Sequence, residues 1–225
     1  MIKVYSRRQL MAVEAGKPPY IQDGLVLWLD GINKGGNANA WTDLIRKVEF
    51  PYNEHSTVNS DSVSFDGGEG SYLQSSGGTS VRVNVPYQTG TIEVVAEQGT
   101  YYGAIFGTGI NGSICFIRKS NGITTGTSTN SSRKRITKNI PDTAYTVSVS
   151  VDNFFVINGV AQTYSTANEW VNSISDFMYV GGSPRMTCTP CKIYCVRIYN
   201  RVLTMDEVLK NQEDDNSRFN LGLNI

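Results

Sequence analysis

The sequence predicts an all-β domain, a sandwich or barrel of short strands closed by one helix. Three observations predict it. The 225 residues include 22 glycines among many Asn, Ser and Thr, a composition suited to many turns. Apolar and polar residues alternate with period two, most clearly in Thr146-Val147-Ser148-Val149-Ser150-Val151, which sets three valines on one face. Turn signals punctuate these runs at short intervals, which yields about a dozen strands.

The elements follow in chain order. Ser6 and Gln9 fit a capping box ahead of a short helix to about Ala15, Gly16 suits its end, and Lys17-Pro18-Pro19 is a stiff spacer. Leu10 and Val13 share a face with Met11 beside them, an apolar stripe that an isolated ten-residue helix cannot bury alone. Residues 1–22 therefore read as an arm that docks onto another protein. Leu25 to Leu29 is apolar on both faces, as a sandwich-core strand should be, and Asp30-Gly31 breaks it. Val63-Ser64-Phe65 alternates before the turn Asp66-Gly67-Gly68; Val81, Val83 and Val85 alternate; Thr91 to Glu97 is another strand. After the valine run, Asp152-Asn153 turns the chain into Phe154 to Ile157, and Asn158-Gly159 is a type I′ hairpin signal. Asp176 to Val180 and Lys192 to Tyr199 supply late strands. Thr204 and Glu207 form a capping box for a helix over Met205 to about Asp214. The reading is one domain over 23–219, with a short tail at 220–225.

Composition excludes several classes. Lys plus Arg and Asp plus Glu each total 20, so the basic excess of a duplex-DNA binder is missing. The hydrophobic content of 40% at zero net charge argues against disorder. No apolar run approaches the ~18 residues of a membrane helix, and the N-terminus lacks the apolar core of a signal peptide. The expectation is a chain made in a cytosol, whose four cysteines are thiols.

Four segments in order resemble the concanavalin A-like lectin/glucanase superfamily in its laminin-G-like branch: GLVLWLDG at 24–31, VSFDGGEGSYLQ at 63–74, VSVDNFFVINGV at 149–160 and KIYCVRIYNRVLTMDEV at 192–208. In the last, Ile193, Val196, Arg197, Ile198, Tyr199, Asn200, Arg201, Leu203, Thr204 and Glu207 match the branch's pattern, with Cys191 where Gly is usual. The resemblance implies a two-sheet antiparallel jelly-roll sandwich. It does not imply one function, because this sandwich hosts lectins, adhesion modules, glycosidases and spacers.

Glucanase relatives carry a strand motif E-x-D-x-E, and Glu93-Val94-Val95-Ala96-Glu97 keeps the two glutamates. Val95 replaces the Asp that would help set their pKa values, so the pair reads as two solvated glutamates on an ordinary strand, without enzymatic activity. Cys188, Cys191 and Cys195 form C-x-x-C-x-x-x-C, but a closed zinc site needs a fourth ligand, which only Cys115 could supply; buried, inert thiols are expected. Laminin-G-like relatives often hold calcium with loop oxygens. Calcium stays open on Asp30, Asn33 and Asp66, without an EF-hand spacing and without an assigned metal site. His55, the one histidine, reads as a solvated loop residue; Arg133-Lys134-Arg135 with Lys138 reads as a solvated loop rather than a nucleic-acid patch.

Glycan binding needs aromatic faces and planar polar groups. Tyr101, Tyr102 and Trp170 are the candidates, in predicted loops; Trp28 and Trp41 are assigned to the core. A recognition fold without an export signal is explained most simply as a bacteriophage or prophage virion protein. In that reading it is a non-enzymatic decoration, fibre or tail component, present in many copies. Leu10, Met11 and Val13 dock it to other virion proteins or sister subunits, and the sandwich meets host-surface glycans, not nucleic acid or membrane. The alternatives are a carbohydrate-binding or adhesion module on a bacterial cell surface and, third, a β-glucanase-type hydrolase.

Overall fold

The computed structural model describes residues 20–76, 90–98, 103–108, 114–119, 122–126, 133–135, 143–150, 154–163, 178–182, 184 and 188–225; for residues 104, 108, 114–119, 122–126 and 133–135 it describes backbone only. Sixteen strands and one helix lie among them. The first six strands are β1 (Leu25–Asp30), β2 (Ala40–Thr42), β3 (Glu49–Pro51), β4 (Ser56–Val58), β5 (Val63–Phe65) and β6 (Leu73–Gln74). The next five are β7 (Thr91–Gln98), β8 (Gly103–Thr108), β9 (Ile114–Lys119), β10 (Gly122–Gly126) and β11 (Arg133–Arg135). The last five are β12 (Tyr145–Ser150), β13 (Phe154–Ile157), β14 (Val160–Ala161), β15 (Met178–Val180) and β16 (Cys191–Tyr199), and helix α1 (Met205–Phe219) follows.

Two antiparallel sheets make the sandwich predicted from the sequence. The larger runs β14-β13-β12-β7-β16-β5-β4, with β1 also paired to β16; the smaller runs β11-β10-β9-β8-β15-β6. A separate ribbon pairs β2 with β3. β16 is the central spine: β7 follows it from Cys191 to Tyr199, while β5 and β1 share its other edge.

Alternation decides what each face buries. On β7, Ile92, Val94 and Ala96 point between the sheets, with Val147 and Val149 of β12, Val196 and Ile198 of β16, and Phe106, Met178 and Val180 of the smaller sheet. The opposite face of the larger sheet carries a second cluster of Trp28, Val95, Phe154, Val156, Tyr194, Cys195 and Tyr199, covered by Val208 and Phe219 of α1. Burying two such helix side chains is worth about 1.5–3 kcal/mol each.

Helix α1 starts where its capping box predicts. Thr204 and Glu207 cap each other, and Asn220, in the left-handed conformation, ends the helix at Phe219 rather than near Asp214. Its buried residues Val208, Asn211, Gln212, Asp215 and Phe219 fall on one stripe, three or four apart. The polar residues Thr146, Ser148 and Ser150, which alternate with the valines, are buried too, and Ser148 accepts from Gln212 of α1. At Asn158-Gly159 both residues have positive φ, 47° and 76°, the type I′ turn that the dipeptide predicts.

Other readings change. The packed body reaches back to Tyr20, 3% exposed and stacked edge-on against Trp28, within the segment read as arm. The segment 220–225 is fastened: Asn216 donates to Leu223 O and accepts from Leu223 N. Arg133-Lys134-Arg135 is not a loop but a strand, paired to the Thr-rich β10 at the sheet edge. Trp41 is fully buried, its indole N–H donating to Asp30 O. The predicted arm helix, the 81–85 alternation and Val151 lie outside the described residues.

Candidate functional site

Two polar constellations stand out, one sealed and one open. The sealed one lies under α1. Arg197, in the middle of β16, is wholly buried. Its Nε donates to Glu93 Oε2 at 2.8 Å, and its two terminal nitrogens donate to Asp215 at 2.8 and 2.6 Å. The ring of Tyr20 lies over the guanidinium at 3.9 Å. Asn211 donates to Glu93 Oε2, Ser148 Oγ donates to Glu93 Oε1, and Gln212 donates to Ser148 Oγ. Ile21 N donates to Asn211 Oδ1, so the network also holds the chain entering the domain. Burial pushes the carboxyls of Glu93 and Asp215 up, against the pull of Arg197. Arg197 itself is held further up than usual by Asp215, Cys195 and Glu93, which outweigh its desolvation.

This corrects the reading of Glu93 and Glu97. They do share a strand face, but it is the face that α1 covers. Glu93 is 2% exposed, and Glu97, half-buried, accepts from the Tyr194 hydroxyl. Sequence alternation marks the face as polar; it cannot show that a helix more than 100 residues later lies on it.

The cysteine pattern is dispersed by a bulge. The register of β16 against β7 shifts between Ile193 and Cys195. Tyr194 and Cys195 therefore both pack under α1, while Cys191 faces the inter-sheet core. Burial raises both thiols well above the ordinary range, which disfavours the reactive thiolate. Among the described residues no group of three or more His, Cys, Asp and Glu is placed to hold a metal ion. The oxygens considered for calcium have protein partners: Asp30 accepts from Ile32 N, Asn33 N and Arg218, Asn33 Oδ1 accepts from Gly35 N, and Asp66 binds His55.

The open constellation lies at one end of the sandwich. The start of β16 at Cys191 stands opposite the ends of β5 and β7, Phe65 and Gln98. Ser56, at the start of β4, is also paired with Phe65, and Gly181, after β15, donates to Ile105 O. This gathers segments 52–55 and 66–72, residues 181–182 and 188–190, and Gln98 and Gly103. Gln98 donates across to Thr189 Oγ1 at 2.7 Å.

His55 is not simply solvated. Its Nδ1 meets Asp66 Oδ2 at 2.9 Å. Asp66 Oδ1 accepts from Gly68 N, while Asn53 donates to both Gly70 O and Tyr72 O. The Asp66 hydrogen bond raises the imidazole pKa; the Gly68 N–H, and then His55, lower that of Asp66. Tyr72, partly exposed, rests edge-on against Tyr179 with centroids 5.4 Å apart. Tyr72 and Asn53 are missed by sequence reasoning. Their signal is the glycine-rich turn at 66–70, but nothing in its spacing pairs it with His55. Of the site residues predicted from sequence, Tyr101, Tyr102, Trp170, Leu10, Met11 and Val13 all lie outside the described residues.

No protein-family model and no curated protein matches the sequence. Solved structures do match. The sialidase of Trypanosoma rangeli in complex with sialic acid is 15% identical with a TM-score of 0.64, over 86% of this chain and 33% of the sialidase. A structure of botulinum neurotoxin type C is 12% identical with a TM-score of 0.66, over 85% of this chain and 51% of the other. The binding domain of botulinum neurotoxin DC in complex with rat synaptotagmin II is 11% identical with a TM-score of 0.67, with the same coverage. The chain thus spans about a third to a half of the length of these structures. At this identity the likeness is one of fold: the chain is an antiparallel jelly-roll sandwich.

Proposed function

We propose that this protein is a non-enzymatic recognition module that binds glycans through the loop end of its sandwich and is held in a multi-copy assembly by its N-terminal segment. The observation that carries the non-enzymatic part is the burial of Glu93 beneath α1, with its oxygens occupied by Arg197, Asn211 and Ser148. A glycosidase of the β-glucanase type needs two carboxyls flanking the scissile bond. This carboxylate is spent on holding the helix.

The glycan part draws support from the open loop end and from the structural neighbours. One is a sialidase bound to sialic acid, and another is described by the dependence of neurotoxin type C cell entry on two ganglioside molecules. The assembly is read as a virion, with the sandwich as a decoration, fibre or tail component. That reading rests on the sequence: an apolar stripe at Leu10, Met11 and Val13 followed by the Pro18-Pro19 spacer.

A glycan array with the purified chain tests the binding, and reducing-sugar release from β-glucans tests the enzyme alternative. Array binding without sugar release is expected. Release that disappears in Glu93→Gln while the fold persists would return the protein to the hydrolases. Deletion of residues 1–19 should leave a folded sandwich that no longer assembles; assembly equal to that of the full chain removes the anchoring role.

A further inference from the structure

We propose that the His55–Asp66 pair and Tyr72 form a subsite for an uncharged saccharide at the loop end. The proposal rests on the glycan-binding reading above and adds to it a location and a ligand class.

A sugar ring needs an apolar surface to lie on and polar groups level with its hydroxyls. Tyr72 supplies the surface, and Tyr179 braces its ring. The imidazole–carboxylate pair supplies the polar groups. With Nδ1 engaged by Asp66, the other ring nitrogen of His55 has Glu54 at 4.0 Å, beyond hydrogen-bonding distance. It remains available to a hydroxyl. The Asp66 side chain is 56% exposed and can accept from a second one.

The backbone beside them can be approached closely. Gly70 has φ of +82°, and a Cβ there would meet only His55 Cδ2, at 3.9 Å. The loop is already held in shape by Asn53 on Gly70 O and Tyr72 O and by Gly67 N on Ser71 Oγ. Binding therefore carries little ordering cost.

Charge selects the ligand class. Residues 52–72 contain Glu54, Asp61, Asp66 and Glu69 and neither Lys nor Arg. Asp61 is paired with Lys192 at 3.5 Å, and Asp66 with His55. Glu54, 4.0 Å from His55 Nε2, and Glu69 add further negative charge, both exposed, on the two segments that frame the subsite. A sugar carboxylate placed there meets like charge, whereas an uncharged sugar does not. The subsite therefore rejects sialylated glycans, unlike the sialidase neighbour with its bound sialic acid.

The test uses the full chain at pH 7 on an array of neutral hexose and N-acetylhexosamine oligosaccharides and their sialylated counterparts. Titration of the best neutral binder follows, with wild type, His55→Ala, Asp66→Asn and Tyr72→Leu. Because the chain has one histidine, its imidazole NMR signals report directly on this loop. The expected results are binding at least tenfold weaker for sialylated than for neutral forms, movement of the imidazole signals on saturation, and at least a fivefold loss in each variant with its thermal midpoint kept. Neutral-glycan binding that survives all three substitutions and leaves the imidazole signals unmoved overturns the subsite and leaves the glycan-binding reading standing. A preference for sialylated forms overturns the ligand class. An array with no binder overturns both the subsite and the reading under it.

Discussion

Replacing Arg197 with Met removes the one cation between two carboxylates that have no access to water. Arg197 makes three charge-assisted hydrogen bonds at 2.6–2.8 Å and carries the Tyr20 ring on its face. Deleting one partner of a buried ion pair costs about 3–5 kcal/mol, because the remaining charges stay buried without compensation. For a domain of this size each kcal/mol moves the thermal midpoint by ~2–4 °C, so a fall of roughly 6–20 °C is expected. Calorimetry at pH 7 measures it. The triple variant Glu93→Leu, Arg197→Met, Asp215→Leu should recover most of the loss, since apolar replacements of a whole buried network are often neutral. A single variant that loses less than ~1 kcal/mol, or a triple variant worse than the single one, would refute the account of α1 as clamped by charge.

Glu207, its pKa drawn down to about 2 chiefly by the Arg201 hydrogen bond, should contribute stability at neutral pH that is lost as pH falls from about 4.5 through about 2. The side chains are 27% and 26% exposed, so water still screens the pair, and Glu207→Gln should cost about 1 kcal/mol at pH 7 and flatten that part of an acid titration followed by circular dichroism. Gly181→Ala should be among the most damaging small substitutions, because φ is +88° and the new methyl would lie 2.4 Å from the Phe65 ring; a loss of more than ~2 kcal/mol in urea unfolding is expected. Cys191 and Cys195 should resist iodoacetamide in the native protein and react once it is unfolded, as peptide mass spectrometry would show. Prompt native labelling of either would contradict the burial of Cys191 between the sheets and of Cys195 beneath α1.

Much of the sandwich is legible in the sequence because strands obey local rules. The valine run from 147, the Asn158-Gly159 turn and the Thr204/Glu207 capping box depend on neighbours a few residues away, so pattern and propensity suffice to find them. The inter-sheet face follows from alternation alone. What alternation cannot say is whether the other face meets water. Ser148, Glu93 and Arg197 carry the polar half of the pattern, yet α1 seals them, and this buried polar face is stable because Asn211, Gln212 and Asp215 arrive from the helix to match it. Similarly, one bulge between Ile193 and Cys195 sends to opposite faces two cysteines whose spacing of four suggests one face. The pairing of His55 with Asp66 exists because β4 and β5 bring two turns to the same end. Local chemistry is written in local sequence. Which faces are covered, and which distant side chains meet, is set by how the sheets and the helix stack.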